Sequence, residues 1–279
     1  MENKDDNKSK KHIPDLSGKL LFLRHGQTWF NKQRGDDSRR YNPEFCDAHL
    51  TDTGIEQIVS RQNSINSLNL EKVYVSPYYR ALQTVTLALQ NHPNLNEIKV
   101  IVHPKISEMV LNIQDFFLDI KETKKDFNMN SKVKIDWSYF DAYAKKSKYE
   151  ENFLYFENMN LLKENEKNFI YLKLKEIYEK GEKKELKKEI GNFLKIKCET
   201  FSQFESFKHA YQRFEEFKLF LKNELKDTLN DNNKKILCIS HGSFINNATS
   251  RVPFLNDKIN EKPDNLYQIK NGEIISLLF

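Results

Sequence analysis

Five short apolar runs along the chain predict β-strands. Each run is bounded by polar residues, glycine or proline, and each is shorter than a typical helix. The runs lie at residues 19–23, 71–76, 98–102, 235–240 and 274–279. Continuous apolar runs without strict alternation are typical of strands that are buried on both faces. The pattern therefore indicates a sheet that other elements cover on both sides.

Helical patterns separate these runs. Residues 53–68 follow Asp52, a residue type that caps helices, and residues 79–90 follow Pro77. Strands alternating with helices indicate an α/β fold with a mostly parallel central sheet flanked by helices. A further helix is predicted near 204–225, with one apolar face that we expect to pack on the sheet. The apolar positions of that face are Phe204, Phe207, Tyr211, Phe214, Phe217, Leu221 and Leu225.

The composition changes along the chain and predicts its domain organisation. Residues 1–17 are polar and charged, which predicts a disordered leader. Residues 18–279 are expected to form one α/β domain. Within it, the stretch at about 110–200 is rich in Lys, Glu, Phe and Leu and nearly free of Gly and Pro. We expect a mostly helical insertion there, between the third and fourth strands, with a solvated face or loop at 181–188.

Composition also excludes several classes of protein. No run approaches the roughly 18 apolar residues that a membrane span needs, and the polar N-terminus lacks the apolar segment of a signal peptide. The net charge of +5 is not concentrated in a basic stripe, which argues against nucleic-acid binding. We therefore expect a cytoplasmic protein with no membrane or nucleic-acid partner. A homo-oligomer remains compatible with the sequence.

The three cysteines do not form a motif. Cys46, Cys198 and Cys238 are odd in number and widely spaced, so they offer neither a disulfide framework nor a zinc site. Reduced thiols are the expectation for a cytosolic protein. No cluster of metal-ligand type is present in the sequence, and we predict no bound metal.

Two predicted strands end in the same way. The triplet RHG at 24–26 follows the first run, and SHG at 240–242 ends the fourth. Ligands bind at the carboxyl ends of strands in open α/β sheets, and glycine lets a ligand approach the backbone closely. A single histidine in this position is more often an ordinary strand end. The pair, with an arginine beside one of them, favours a shared site.

A third motif follows the second strand. The segment SPYYRALQT at 76–84 places Arg80 in the first turn of a predicted helix. Taken alone, Arg80 would be interpreted as a surface residue. A cation is electrostatically disfavoured at a helix N-terminus, so a nearby anion would explain it. Only eight of the 45 basic residues are arginines, and arginine suits bidentate anion recognition.

Four ordered blocks resemble the histidine phosphatase superfamily, also called the phosphoglycerate mutase-like family. RHG at 24–26 is followed by Thr28 and Asn31, and LTDTGIEQ stands at 50–57. SPYYRALQT at 76–84 and SHG at 240–242 complete the set. RHG alone is a weak signal, but the four blocks in this order are specific and cover most of the chain. The segment FCDAHL at 45–50 also resembles a eukaryotic branch of phosphoglycerate mutase-like proteins.

The resemblance implies a metal-independent phosphatase of small phosphomonoesters with a phosphohistidine intermediate. In the family's pattern His25 is the nucleophile, while Arg24, Arg80, Asn31 and a protonated His241 surround the phosphoryl oxygens. Phosphoryl transfer depends chiefly on positioning and charge neutralisation. Fixed cations supply both, so no metal or other cofactor is expected. The implied partner is a phosphorylated small molecule.

The family also uses a carboxylic acid that protonates the leaving oxygen. It follows the third strand, and the matching residue here is Glu108. The same carboxylate would later act as the base for the attacking water. Asp115 is the alternative acid, in case the insertion shifts the position of this group.

Three functions remain open from the sequence. True mutases of the family carry a Gly-containing extension with basic residues just after the acid, whereas residues 109–120 contain neither. This difference favours a phosphatase. Arg34, Arg39 and Arg40 keep open a phosphoglycerate mutase that uses 2,3-bisphosphoglycerate as its cofactor. An inactive scaffold or binding relative is disfavoured, because both motif histidines and both motif arginines are intact.

Overall fold

A mixed sheet forms the centre of the computed structural model, which describes residues 18–198, 203–225, 231, 233–249 and 268–277. The strands are β1 (Leu20–Arg24), β2 (Leu70–Val75), β3 (Lys99–Val102), β4 (Ile135–Asp136), β5 (Lys235–Ser240) and β6 (Ile274–Leu277). Their order is β4-β3-β2-β5-β1-β6. All neighbours are parallel except β1 and β6, which are antiparallel. The predicted α/β fold with a mostly parallel sheet is confirmed.

Helices flank this sheet on both faces. They are α1 (Trp29–Lys32), α2 (Asp52–Val59), α3 (Gln62–Asn66), α4 (Tyr79–Leu89), α5 (Ile120–Asn130), α6 (Ser138–Ala144), α7 (Tyr155–Asn158), α8 (Glu164–Glu179), α9 (Lys183–Cys198), α10 (Phe207–Glu224) and α11 (Gly242–Ala248). No helix in the described part of the chain is long and apolar enough to cross a membrane. The leader predicted at 1–17 lies outside the described residues, and the domain boundary at residue 18 stays a prediction.

Two predicted elements differ from the structure. The insertion is not purely helical, since β4 lies within it and pairs with β3, so the run at 235–240 is the fifth strand. Two residues are too few to produce a recognisable apolar run. The helix predicted at 53–68 is two helices, α2 and α3. The first begins after Thr51, whose hydroxyl accepts from Gly54 N (3.1 Å), and ends at Val59, with Ser60 as the C-cap. The Ser60 hydroxyl donates to the Gln57 carbonyl oxygen (2.8 Å), a local bond that competes with helix continuation.

For the charged run at 181–188, the structure agrees with the first of the two alternatives, a solvated face. Gly181 has a positive φ of 74° and makes the turn between α8 and α9. Residues 183–188 form the first turns of α9, and three of these six residues are exposed. The solvated face is therefore present, but it lies on a helix, and the loop is confined to the turn itself.

The apolar face of α10 packs on the sheet as predicted. Phe214 and Phe217 contact Phe22 of β1 and Tyr74 of β2, with ring centroids 6.1 Å apart for Phe22–Phe214 and 5.7 Å for Tyr74–Phe217. Phe204 is buried but precedes the helix, which begins after Ser206. The opposite face of the sheet belongs to a larger core shared with α4 and the inserted helices.

The α10 packing gives a stability prediction. Phe217→Ala should lower the free energy of unfolding by about 3–5 kcal/mol, because it empties a fully buried position between helix and sheet. Leu219 is on the same helix but 60% exposed, so Leu219→Ala should change the free energy of unfolding by less than about 0.5 kcal/mol. Urea unfolding followed by circular dichroism measures both. Similar losses in the two variants would contradict this packing.

Candidate active site

Three sequence motifs meet at the carboxyl edge of the sheet. β1 and β5 are neighbours, with Arg24 opposite Ser240 in the register. The next residues, His25 and His241, therefore lie side by side, and their ring centroids are 5.1 Å apart. β2 is the other neighbour of β5, and Ser76 at its end hydrogen-bonds to His241 Nε2 (2.7 Å). The topology thus assembles residues that are 165 positions apart in the chain.

The His25 ring is held in one tautomer. Its Nδ1 lies 2.7 Å from the carbonyl oxygen of Gly26. A carbonyl oxygen only accepts, so Nδ1 carries the proton and Nε2 keeps its lone pair. Burial, followed by the charges of Arg80 and Arg24, lowers the pKa of His25 well below its usual value. A neutral imidazole with one oriented nitrogen is what nucleophilic attack requires.

His241 is also a neutral imidazole in this arrangement. Arg80 Nε donates to its Nδ1 (3.1 Å), which must therefore be unprotonated, and its Nε2–H donates to Ser76 Oγ. Burial and then the Arg80 charge lower the pKa of His241 well below its usual value. This corrects the protonated His241 that the resemblance implies. The hydrogen bond from Arg80 occupies the lone pair that a proton would need.

Arg80 is fully buried and is not a surface residue. Besides the bond to His241, its Nη1 donates to the Gln114 carbonyl oxygen (2.6 Å) and its Nη2 to Asp115 Oδ1 (2.9 Å). The guanidinium also lies over the Tyr78 ring, 4.5 Å from the centroid. A guanidinium has five N–H groups, so these bonds fix its plane and leave one N–H on each terminal nitrogen for a ligand.

Arg24 lies against the start of α11. A Cβ on Gly242 would stand 2.9 Å from Arg24 Cζ, so the glycine makes room for the guanidinium. Arg24 Nη1 donates to the Ile269 carbonyl oxygen (2.7 Å). Its Nε is buried and has no hydrogen-bond partner in the described part of the chain. A buried donor without a partner calls for an explanation, and an anionic ligand at this point would supply one.

Glu108 lies beside these cations, with 5% of its surface exposed. Its Oε1 accepts from the backbone N–H groups of Phe244 and Met109 (both 2.9 Å), and its Oε2 accepts from Ser243 N (3.3 Å). Burial raises the pKa of Glu108, although the Arg80 charge and these N–H groups oppose the shift. A carboxyl group that retains its proton to higher pH than usual is suited to general acid catalysis.

Asp115, the alternative acid, is in a different position. It is fully buried and its Oδ1 forms the ion pair with Arg80. Its Oδ2 accepts from Leu111 N and Asn112 N (both 3.1 Å). Burial raises the pKa of Asp115 to about 7. Both carboxylate oxygens are thus engaged in holding Arg80 and the local backbone.

Asn31 lies at the edge of the group, in α1. Its Oδ1 accepts from Thr28 N (3.2 Å) and from Asn271 Nδ2 (3.2 Å). This fixes the amide orientation and leaves Nδ2 as the side-chain donor. Asn271 Nδ2 also lies 3.1 Å from the His25 carbonyl oxygen.

Sequence reasoning missed three residues that shape the site. Gln114 and Ile269 act through backbone carbonyl oxygens, which residue type does not reveal. Asn271 lies in the turn before β6, where an asparagine has no distinctive pattern. Only the antiparallel pairing of β6 with β1 brings these C-terminal residues to the site.

The assembled groups are nearly closed to solvent. Arg80 and His241 are 0% exposed, and His25 is 2% exposed. A cavity of about 970 Å³ lies among the described residues, but its lining includes Trp29 and Tyr79 rather than these groups. No group of three or more His, Cys, Asp or Glu side chains with metal-site geometry occurs among the described residues.

Residues 20–138 match the family model of the histidine phosphatase superfamily (branch 1). That segment contains the first three motifs and Glu108. Over this segment the chain is similar to the histidine phosphatase superfamily (branch 1). The narrower assignment to a eukaryotic branch stays a prediction.

Similar proteins include both mutases and phosphatases. A 2,3-bisphosphoglycerate-dependent phosphoglycerate mutase from Chlamydia pneumoniae is 34% identical over 92 residues, 32% of this chain and 37% of that protein. The fructose-2,6-bisphosphatase TIGAR B of Danio rerio is 28% identical over 93 residues, 33% of this chain and 34% of that protein. The matches thus span little more than a third of either relative. Among solved structures, Bacillus stearothermophilus YhfR has a TM-score of 0.47 at 14% identity, covering 91% of this chain and 88% of that chain.

The lowered histidine pKa values predict a pH response. At about pH 5.5 an ordinary histidine is mostly protonated, but His25 and His241 should remain neutral, which ¹⁵N chemical shifts of the rings measure directly. The unfolded chain binds these protons below about pH 6.5, so the free energy of unfolding should fall as the pH drops through that value. The same histidines in the urea-unfolded chain are the control. Ring shifts of imidazolium in the folded protein at that pH would contradict the burial described here.

Proposed function

We propose that this protein is a metal-independent phosphatase that hydrolyses phosphomonoesters of small molecules through a phosphohistidine on His25. The observation that carries the proposal is the His25 ring itself. The Gly26 carbonyl oxygen accepts a hydrogen bond from the Nδ1–H of this ring, the ring is neutral, and Arg24 and Arg80 lie beside it. That combination prepares Nε2 to attack phosphorus next to fixed positive charge.

The two half-reactions use His25, Glu108 and the two arginines of the site. His25 Nε2 would form a bond to phosphorus while the ester P–O bond breaks, and Glu108 would give its proton to the leaving oxygen. Arg24 and the two remaining N–H groups of Arg80 would neutralise the phosphoryl oxygens. In the second step Glu108 would take a proton from water as the water attacks phosphorus, releasing inorganic phosphate and free His25. His241 would serve as a neutral hydrogen-bond partner that fixes Arg80.

A phosphoglycerate mutase is the second candidate, and Arg34 is the observation that favours it. Burial lowers the pKa of the Arg24 guanidinium, and the positive charge of Arg34 lowers it further. Arg34 is exposed in the turn after α1, where it is free of the burial that surrounds Arg24 and Arg80. Arg39 and Arg40 donate to the carbonyl oxygens of Phe30 and Leu111, and Arg39 Nε is buried without a hydrogen-bond partner among the described residues. The Chlamydia relative is consistent with this candidate, and the Danio relative with a phosphatase.

A panel of phosphorylated metabolites separates the two candidates. We predict release of inorganic phosphate from at least one phosphomonoester in the presence of EDTA. Interconversion of 2- and 3-phosphoglycerate, measured in parallel with 2,3-bisphosphoglycerate present, should be slower than that hydrolysis. Interconversion faster than hydrolysis would favour the mutase. Activity lost in EDTA and restored by a divalent ion would contradict the metal-independent mechanism.

Replacing the acid should have an effect that depends on the substrate. Glu108→Gln should slow turnover of alkyl phosphates by about 10²–10⁴, the usual contribution of general acid–base catalysis. The loss should be smaller for p-nitrophenyl phosphate, whose leaving group needs little protonation, and phosphoenzyme should accumulate because water activation becomes limiting. Glu179→Gln, at an exposed position on α8, is the control. An equal loss on both substrates without accumulation would move the acid role to Asp115.

A further inference from the structure

A buried ion pair outside the four motifs lies next to the proposed acid. Arg213 of α10 is 5% exposed, and Glu205, just before that helix, is fully buried. Arg213 Nε donates to Glu205 Oε1 (2.7 Å), and its Nη2 donates to Glu205 Oε2 (2.9 Å). His209 Nδ1 also bonds to Glu205 Oε1 (2.8 Å). Buried ion pairs are poor sources of stability, so a fixed guanidinium here invites a functional explanation.

The third nitrogen of Arg213 holds the loop that carries Glu108. Nη1 donates to the carbonyl oxygens of Lys105 (2.8 Å) and Ser107 (3.2 Å). Ser107 directly precedes Glu108. Between these two carbonyls, the Ile106 carbonyl oxygen accepts from Ser240 Oγ (2.7 Å) at the end of β5. Three consecutive carbonyls are thereby fixed immediately before the acid.

The same guanidinium also contacts Phe244, whose backbone N–H binds the Glu108 carboxylate. It lies over the Phe244 ring, 5.0 Å from the centroid, and Phe244 N–H is a donor to Glu108 Oε1. Arg213 therefore touches both the loop that precedes Glu108 and the helix residue that binds its carboxylate. A lysine could supply the charge but not this set of directed bonds, because only the planar fork spans the carboxylate and the two carbonyls.

We propose that Arg213, oriented by Glu205, is a positioning residue that fixes Glu108 for proton transfer to the leaving group. This inference rests on the proposed function, since it assigns a role relative to the acid of that reaction. Arg213 has no described contact with His25, so it acts on the carboxylate and not on the nucleophile. Small displacements of a reacting group are costly, about 10²-fold for about 1 Å.

The test is the dependence of each variant on the leaving group. Arg213→Lys keeps the positive charge but cannot make the hydrogen bonds of the planar guanidinium. We therefore expect kcat on an alkyl phosphate to fall about 10–10²-fold. On p-nitrophenyl phosphate the loss of kcat should be smaller, as for Glu108→Gln, because this leaving group needs little protonation. Glu205→Gln is the second variant and should show the same pattern. Lys222→Gln, exposed on the same helix, is the matched control and should match the unmodified protein.

A double variant gives an independent readout. In the Glu108→Gln background, Arg213→Lys should cause little further loss on alkyl phosphates, because residues that act through one group are not additive. Equal losses on both leaving groups, or full additivity, would overturn the positioning role. Failure of both Arg213→Lys and Glu205→Gln to fold would overturn it too, since the pair would then be purely structural. If Glu108→Gln itself shows no leaving-group dependence, the proposed function fails instead.

Discussion

The guanidinium of Arg80 is buried, so its N–H groups and its charge need partners within the protein. The arrangement of the active site follows from which residues provide them. Its three bonds reach His241, Gln114 and Asp115, which come from β5 and from the segment after Glu108. An unpaired charge at this depth would cost several kcal/mol. The chain therefore closes around Arg80 in one way, and that closure sets the tautomer of His241 and the position of the 111–115 segment.

The low dielectric of the buried site explains the direction in which each pKa value is shifted. Burial lowers the pKa values of the two histidines and raises those of Glu108 and Asp115. Burial thus biases the two histidines and Glu108 toward their neutral forms, while Asp115 is held in the ion pair with Arg80. A phosphoryl dianion entering this region would meet fixed positive charge with little competing negative charge. The fold thereby fixes positive charge at this site before any ligand binds.

Sequence patterns predicted the sheet and the meeting of the motifs because both depend on local signals. Buried parallel strands are apolar throughout, and a histidine after such a strand lies at its carboxyl end. The two-residue strand β4 carries no such signal. The burial of Arg80 could not be predicted, since it depends on which segment covers the first turn of α4. The roles of Asp115 and Arg213 likewise depend on partners 35 and 106 residues away or on backbone carbonyls.

The central claim is that phosphate passes through His25, and trapping the intermediate tests it most directly. The protein would be mixed with a radiolabelled phosphomonoester, quenched in alkali, which preserves phosphohistidine, and digested for mass spectrometry. The account predicts acid-labile phosphate on the peptide that contains His25, and no trapped phosphate in His25→Ala. His92→Ala, which removes a buried histidine near the end of α4, is the control and should still be labelled. Steady turnover with phosphate on another residue, or labelling that survives His25→Ala, would contradict the account.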